Sequence, residues 1–292
     1  MVEFLQLAIG GLKIGAIYGL AAIGFVVIHK ATQTVNFAHG AFVAVGAYVT
    51  YYLHENLQWH PAAAYLLAPM AVGILAVGIE WTLLRPLRRA DLLSVIVCTV
   101  FLGIAMMELL RHWFQSELLS APSLFADFGW FLPNDVYVSG ETAWVLVAAI
   151  VAGVFAALIF DRLPIGRAMR AIASSYRGAQ LCGYSVERTY AAAWFFGGAL
   201  AGFAGVLAAG PMGISPELTI ATNVPAFVAA VIGGFDSVRG AVIGGILLGL
   251  IETFAAGYIS SAAKNASSFV IVFLILTFRP HGLFSGEKRR NV

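Results

Sequence analysis

Apolar segments of membrane-spanning length follow one another along nearly the whole chain, at about 4–28, 36–53, 61–84, 92–114, 141–160, 190–210, 222–235, 240–259 and 267–279. A helix needs about 20 mostly apolar residues to cross the hydrocarbon of a bilayer. A water-soluble fold cannot hide so many such stretches, so soluble enzymes, secreted modules and disordered chains are excluded. Composition agrees, since only 11% of the 292 residues are charged where a soluble domain carries about 25%. Each segment is expected to be helical, because an open sheet edge strands backbone groups in lipid. The expected fold is an all-α polytopic membrane protein, one transmembrane domain over 1–292 with about 8–10 helices, some short or broken. Segments 222–235 and 267–279 are either half-helices or extend into flanking sequence. Segment 36–53 opens on polar residues, as a broken helix would.

The basic residues sort by loop. If the loop with Arg85, Arg88 and Arg89 is cytoplasmic, alternation puts Lys30, Arg162, Arg167, Arg170, Arg177, Arg188, Arg239, Arg279, Lys288, Arg289 and Arg290 on the same side. The opposite side holds Arg111 and Lys264, and Lys13 lies within the first segment. Cytoplasmic loops carry the excess of Lys and Arg, so nine crossings are expected, N-terminus out and C-terminus in. The first residues lack a basic region and a cleavage site, so the first segment is expected to be a retained span. The long outer segment 115–140 contains Glu117, Asp127, Asp135, Pro122 and Pro133; it reads as an external loop with room for a short interfacial helix.

The long inner segment 161–189 is different. Asp161-Arg162-Leu163-Pro164 ends a helix. Gly166 to Ala173 can restart one, and Ser174 to Gly183 can form a second, short and amphipathic. Five arginines meet only Asp161 and Glu187 there. The segment is either a basic loop that sets topology or a docking surface for a cytoplasmic partner. A faint internal echo also exists: Gly10, Gly11 and Gly15 match Gly197, Gly198 and Gly202 in a segment that runs the opposite way. Inverted repeats of this kind bracket midplane pathways in transporters.

Chemistry is sparse. No P-loop, HExxH, GxSxG or metal-spaced Cys/His cluster occurs, so the chain is expected to be neither an enzyme nor a metal or nucleotide carrier. Cys98 and Cys182 have no CxxC spacing and are expected to be unpaired. Glu80 and Glu108 lie near Arg85 and Arg111 and read as interfacial pairs. Lys13 and Glu252 are the charges deepest in apolar segments, at matching depth, and form a candidate intramembrane pair, because a lone charge there is expensive. Asn36 and His39 open a segment, either as caps or facing a cavity. Pro211, Pro216 and Pro225 keep the Ser215-Pro216-Glu217 turn irregular, which is tolerated where backbone lines a cavity or is buried in protein.

Specific stretches then point further. Ile17-Tyr18-Gly19-Leu20-Ala21-Ala22-Ile23-Gly24, Val35-Asn36-Phe37-Ala38-His39-Gly40, Gly166-Arg167-Ala168-Met169-Arg170-Ala171, Ala229-Ala230-Val231-Ile232-Gly233-Gly234-Phe235, Gly240-Ala241-Val242-Ile243-Gly244-Gly245 and Arg279-Pro280-His281-Gly282-Leu283-Phe284 run nearly end to end. In these the chain resembles LivH-type permeases, one of two permease subunits of bacterial ABC importers for branched-chain amino acids. The resemblance implies an inner-membrane subunit similar to the ribose-type transmembrane subunits. It implies a LivM-like second permease, two ABC ATPase subunits that bind ATP and magnesium, and a periplasmic or surface substrate-binding protein. Lipid surrounds such a chain, and no nucleic acid is involved. The stretch from Gly166 to Gly183 would couple to the ATPase, through Gly166, Arg167, Arg170, Ser174, Tyr176, Ala179, Leu181 and Gly183. Pathway candidates are Tyr18, Asn36, Phe37, His39, Gly40, Ser215, Pro216 and Glu217. Ser174, Ser175, Leu181-Cys182-Gly183, Asp236 and Arg239 depart from the usual pattern, which leaves the cargo open: urea, short amides and aromatic acids are also carried by such permeases. A stand-alone carrier or channel is a different class, and would need ion-relay groups among Lys13, His39, Glu80, Glu108 and Glu252.

Overall fold

The computed structural model describes residues 1–115, 118–122, 125, 128–132, 135–279 and 282–284. Glu117, Asp127 and Pro133 of the long outer segment lie outside the described residues, as do Pro280, His281, Lys288, Arg289 and Arg290 of the tail. The helices are α1 Val2–Thr32, α2 His39–Tyr51, α3 Pro61–Ile79, α4 Leu92–Phe114, α5 Gly140–Arg162, α6 Pro164–Ser174, α7 Tyr176–Leu181, α8 Val186–Met212, α9 Leu218–Gly233, α10 Val238–Tyr258 and α11 Ser261–Phe278. α2 and α3 run on into π-helical turns, Tyr52–Asn56 and Glu80–Leu84.

Among the described residues, seven helices are long and apolar enough to cross a membrane: α1, α3 with its π turn, α4, α5, α8, α10 and α11. The chain is a multi-pass helical membrane protein. The last expected segment extends back to Ser261 and reaches 18 residues, whereas α9 remains short at 16. The outer segment corrects one expectation. Where an interfacial helix had room, β1 Gly129–Leu132 pairs antiparallel with β2 Val136–Ser139. Aromatic residues favour strands, and Asp135 turns the chain at φ 58°. β2 leads straight into α5, whose N-cap Ser139 accepts the Thr142 N–H.

α1 is the axle of the bundle, buried almost continuously from Ile17 to Ile28. It packs on α10 and α9, as α8 packs on α3 and α2, and α1 meets α8 itself. Of the glycines in the echo, Gly11 and Gly15 meet α10, and Gly198 and Gly202 meet α3. The α1–α10 seam is backbone on backbone. A Cβ at Gly15 would lie 2.7 Å from Ile246 Cα, and Cβ atoms at Gly245 and Gly249 would overlap the backbones of Gly19 and Gly15. Small residues four apart allow that approach.

The two ends of the bundle gather different loops. At one, Arg85 meets Glu187 at 2.5 Å, Arg239 meets Asp161 at 3.2 Å, and the Leu283 N–H donates to Ile232 O at 2.8 Å. At the other, Arg111 meets Glu217 at 3.1 Å, and Leu119 and Ile214 exchange backbone bonds of 2.9 and 3.2 Å. Loops that alternation assigns to one side are thus joined to each other.

Candidate functional site

Two places that gather polar or charged groups concern the candidate residues most directly. The first is a junction of two broken helices. After α1, residues 33–38 turn back into the bundle, and α2 starts there. Its start lies level with the middle of α4: Gly103 faces the Ala38 backbone, and Thr99 Oγ1 accepts the Phe37 N–H at 3.3 Å. Gly103 is eleven residues from the start of α4, about 16 Å along the helix. α9 begins at the same height from the opposite direction, because a Cβ at Gly40 would overlap the Thr219 carbonyl oxygen. Only glycine permits this approach.

Orphan backbone groups at a helix start need partners, and the junction supplies them from side chains. Asn36 Oδ1 accepts the Ala38 N–H at 3.1 Å. Asn223, within α9, accepts the Gly40 N–H through Oδ1 at 2.9 Å and donates from Nδ2 to Phe37 O at 3.1 Å. His39 Nε2 lies 2.9 Å from Ala21 O, its ring wedged against Gly24 and Phe25. Asn36 and His39 are 2% and 0% exposed, so within this chain they are interior pins of the break, the capping alternative for Asn36. Asn36 Nδ2, His39 Nδ1 and Thr219 Oγ1 make no hydrogen bond. Phe37 is half-buried beside Phe227, at 5.7 Å between centroids.

The other pathway candidates separate. Glu217 is exposed and bonds Arg111, while Ser215 is half-buried and Pro216 buried. The Glu217 carboxyl is held below the usual carboxylate range, first by its own backbone N–H and then by Arg111. Tyr18 is 2% exposed, and its hydroxyl donates to Glu252 Oε2 at 3.0 Å. Ser268 donates to the other oxygen of that carboxylate. Glu252 therefore corrects the expected pair: no ion pair joins it to Lys13 among the described residues. Depth alone matched those two charges. Gly11, Gly15 and Tyr18 face α10, and Lys13, two residues from each glycine, points off that face. Two smaller pairings differ as well: Glu108 meets Arg111 at 2.6 Å as expected, but Glu80 takes Arg88, leaving Arg85 to Glu187.

The second place is the basic helical pair α6–α7. Gly166 sits so close to the end of α5 that a Cβ would overlap Phe160 O, and Arg170 Nη1 donates to that same carbonyl. α6 is thereby bolted to the end of α5. Ser174 bonds back to Arg170 O at 2.9 Å, and Ser175 caps α7 by accepting the Gly178 N–H at 3.1 Å. Gly183, at φ +83°, ends α7: its N–H bonds Gln180 O and the Tyr184 N–H bonds Ala179 O, both at 3.0 Å. Those two bonds with a left-handed glycine form a Schellman stop. Arg162, Arg167, Arg177 and Arg188 all face outward. At the tip, Tyr176 is 50% and Leu181 89% exposed, whereas Ala179 is 4% exposed in a cluster with Ile172 and Val186. Ala179 therefore holds the pair together and is not part of its outer surface.

Asn223 is the residue that sequence reasoning missed. Its only signal was a polar amide within an apolar run just before Pro225. Replacing Asn223 with leucine strands a part-buried N–H and a part-buried C=O. Each stranded group costs roughly 1–3 kcal/mol, so a clear loss of thermal stability is expected in a detergent melting assay. Asn223→Leu melting like wild type contradicts the bridging role.

The family model described as "Branched-chain amino acid transport system / permease component" matches residues 7–278. The chain is 31% identical to the high-affinity branched-chain amino acid transport system permease protein LivH of Escherichia coli strain K12, over 99% of this chain and 98% of that protein. It is 30% identical to the corresponding protein BraD of Pseudomonas aeruginosa, over the same shares. It is 27% identical to the probable branched-chain amino acid transport permease protein LivH of Methanocaldococcus jannaschii, over 90% of this chain and 87% of that one. Among solved structures, PsaBC from Streptococcus pneumoniae in complex with Fab has a similar fold, with a TM-score of 0.52 at 12% identity, over 95% of this chain and 92% of the matched one.

Proposed function

The chain belongs to the branched-chain amino acid transport permease family, and from that premise we propose that it is a permease subunit of an ATP-driven importer for branched-chain amino acids. Its partners in this reading are a LivM-like second permease, two ABC ATPases that hold ATP and magnesium, and an external substrate-binding protein. The observation that carries the reading is the α6–α7 pair, a capped apolar tip ringed by arginines and bolted to the end of a spanning helix. A free apolar tip on the end that gathers the arginines is suited to a groove in a cytoplasmic partner. Closure of the ATPases would push on α6–α7, and the Gly166 and Arg170 contacts would pass that displacement to α5. Packed helices respond to such a push as rigid bodies with discrete arrangements.

The broken-helix junction is then the pivot. Asn36, His39 and Asn223 hold two helix starts together near mid-height, and the pathway runs beside it along the face shared with the second permease. Charge alternation supports an orientation with the N-terminus outside and α6–α7 inside. The test is co-expression with the ATPases and calorimetry on the binding protein. The chain is expected to co-purify with ATPases whose ATP hydrolysis rises when the binding protein is loaded with leucine, isoleucine or valine. A binding protein that takes none of the three contradicts the cargo, and ATPases that never associate contradict the coupling.

A further inference from the structure

A cavity of about 510 Å³ lies under the outer segment, between α3, α5 and α8. Its walls include the aromatic rings of Tyr65, Phe125 and Trp144 and the aliphatic side chains Val145 and Val206, and one charged group, Glu141, reaches it. Trp144 lies 6.0 Å from Tyr65 and 5.6 Å from Phe125 between centroids. The Tyr65 hydroxyl is already committed to Pro122 O. Glu141 Oε1 is buried and has no hydrogen-bond partner, and no ion pair involves Glu141 among the described residues. It lies against Gly210, where a Cβ would overlap Oε1 and displace the carboxylate. Position in the first turn of α5 favours a carboxylate there but gives Oε1 no donor. An acceptor left unpaired is costly, and the Glu141 side chain also lines the cavity. Residues 115–140 contain no Lys, Arg or His, and no cation stands among the described lining residues.

We propose that this cavity receives the ammonium group of an incoming amino acid, with Glu141 as its counter-ion and the Trp144 and Tyr65 rings beside it. The proposal rests on the amino-acid import reading above. Among the described residues one carboxylate stands beside aromatic faces, which suits an organic ammonium, since ring faces attract it. The volume falls within the range of about 300–1,000 Å³ typical of small-ligand sites, and the apolar walls would take an aliphatic side chain.

The test uses the full-length chain in nanodiscs and ligand-detected NMR with three probes of similar shape: leucine, isoamylamine, which has the amine but no carboxylate, and 4-methylpentanoate, which has the carboxylate but no amine. Leucine and isoamylamine are expected to bind, and 4-methylpentanoate more weakly by about tenfold or more, the size of one charged hydrogen bond. Glu141→Gln should lose both amines by a similar factor, and Trp144→Leu should weaken them without restoring the carboxylate probe. The proposal is overturned if neither amine binds wild type, if 4-methylpentanoate binds as well as isoamylamine, or if Glu141→Gln binds isoamylamine like wild type. The wild-type comparison stands even if a variant fails to fold. ATP-driven leucine uptake by the complete importer reads the import assignment separately: uptake with no amine binding overturns the cavity alone, and isoamylamine binding without uptake overturns the import reading alone.

Discussion

The double variant Tyr176→Asp/Leu181→Asp is expected to insert into the membrane, fold normally and lose ATP-driven transport. Both side chains project from the tip of α6–α7, at 50% and 89% exposed, and neither makes a side-chain hydrogen bond or ion pair among the described residues. Their removal therefore costs the free subunit little. In an assembled importer each would fill apolar space in the ATPase, and burying a leucine contributes about 1.5–3 kcal/mol. Placing an unpaired carboxylate there costs about 3–5 kcal/mol more, so ATPase affinity should fall by at least about a thousandfold. Ala179→Asp separates docking from folding. Ala179 is 4% exposed against Ile172 and Val186, so that variant should lower the melting temperature as well as the coupling. Normal ATPase co-purification with the double variant contradicts the docking surface.

Gly245→Val is expected to prevent assembly of the bundle. Even a Cβ at 245 would overlap Gly19 N and Cα, and the same holds for Gly249 against Gly15. Backbone cannot yield as a flexible side chain can, so α1 and α10 would have to separate along the seam. Overpacking usually costs about 1–3 kcal/mol where side chains give way; here the largest helix interface would part, and the loss should exceed that range. The measurement is the monodisperse fraction on size-exclusion chromatography of a fluorescent fusion. Gly153→Val is the control, since a Cβ there meets only side-chain atoms, at 3.7 and 3.8 Å. Equal behaviour of the two variants contradicts the account of the seam.

Spans were legible because hydropathy is a property of each segment alone. The broken start at Asn36, the stop at Pro164 and the two inner helices were legible for a similar reason: proline and polar caps act locally. What was not legible depends on direction around a helix or on partners distant in sequence. Lys13 and Glu252 matched in depth, but only packing reveals that Lys13 points off the α10 face while Tyr18 and Ser268 reach the carboxylate. Asn223 bonds Gly40 and Phe37, which are 183 and 186 residues away, and no local pattern announces that. The hairpin at 129–139 was hidden for another reason. It lies outside the apolar segments, where the ban on open sheet edges does not apply.

The most direct test of the central claim is uptake of labelled leucine by proteoliposomes that contain this chain, its second permease and the two ATPases, with ATP sealed inside the cytoplasmic-facing compartment and loaded binding protein on the other side. The account predicts accumulation that requires ATP hydrolysis, stops with a non-hydrolysable analogue, and disappears with Tyr176→Asp/Leu181→Asp while the four membrane and ATPase subunits remain correctly folded. Leucine equilibrating through this chain alone, without ATPases or ATP, would contradict it.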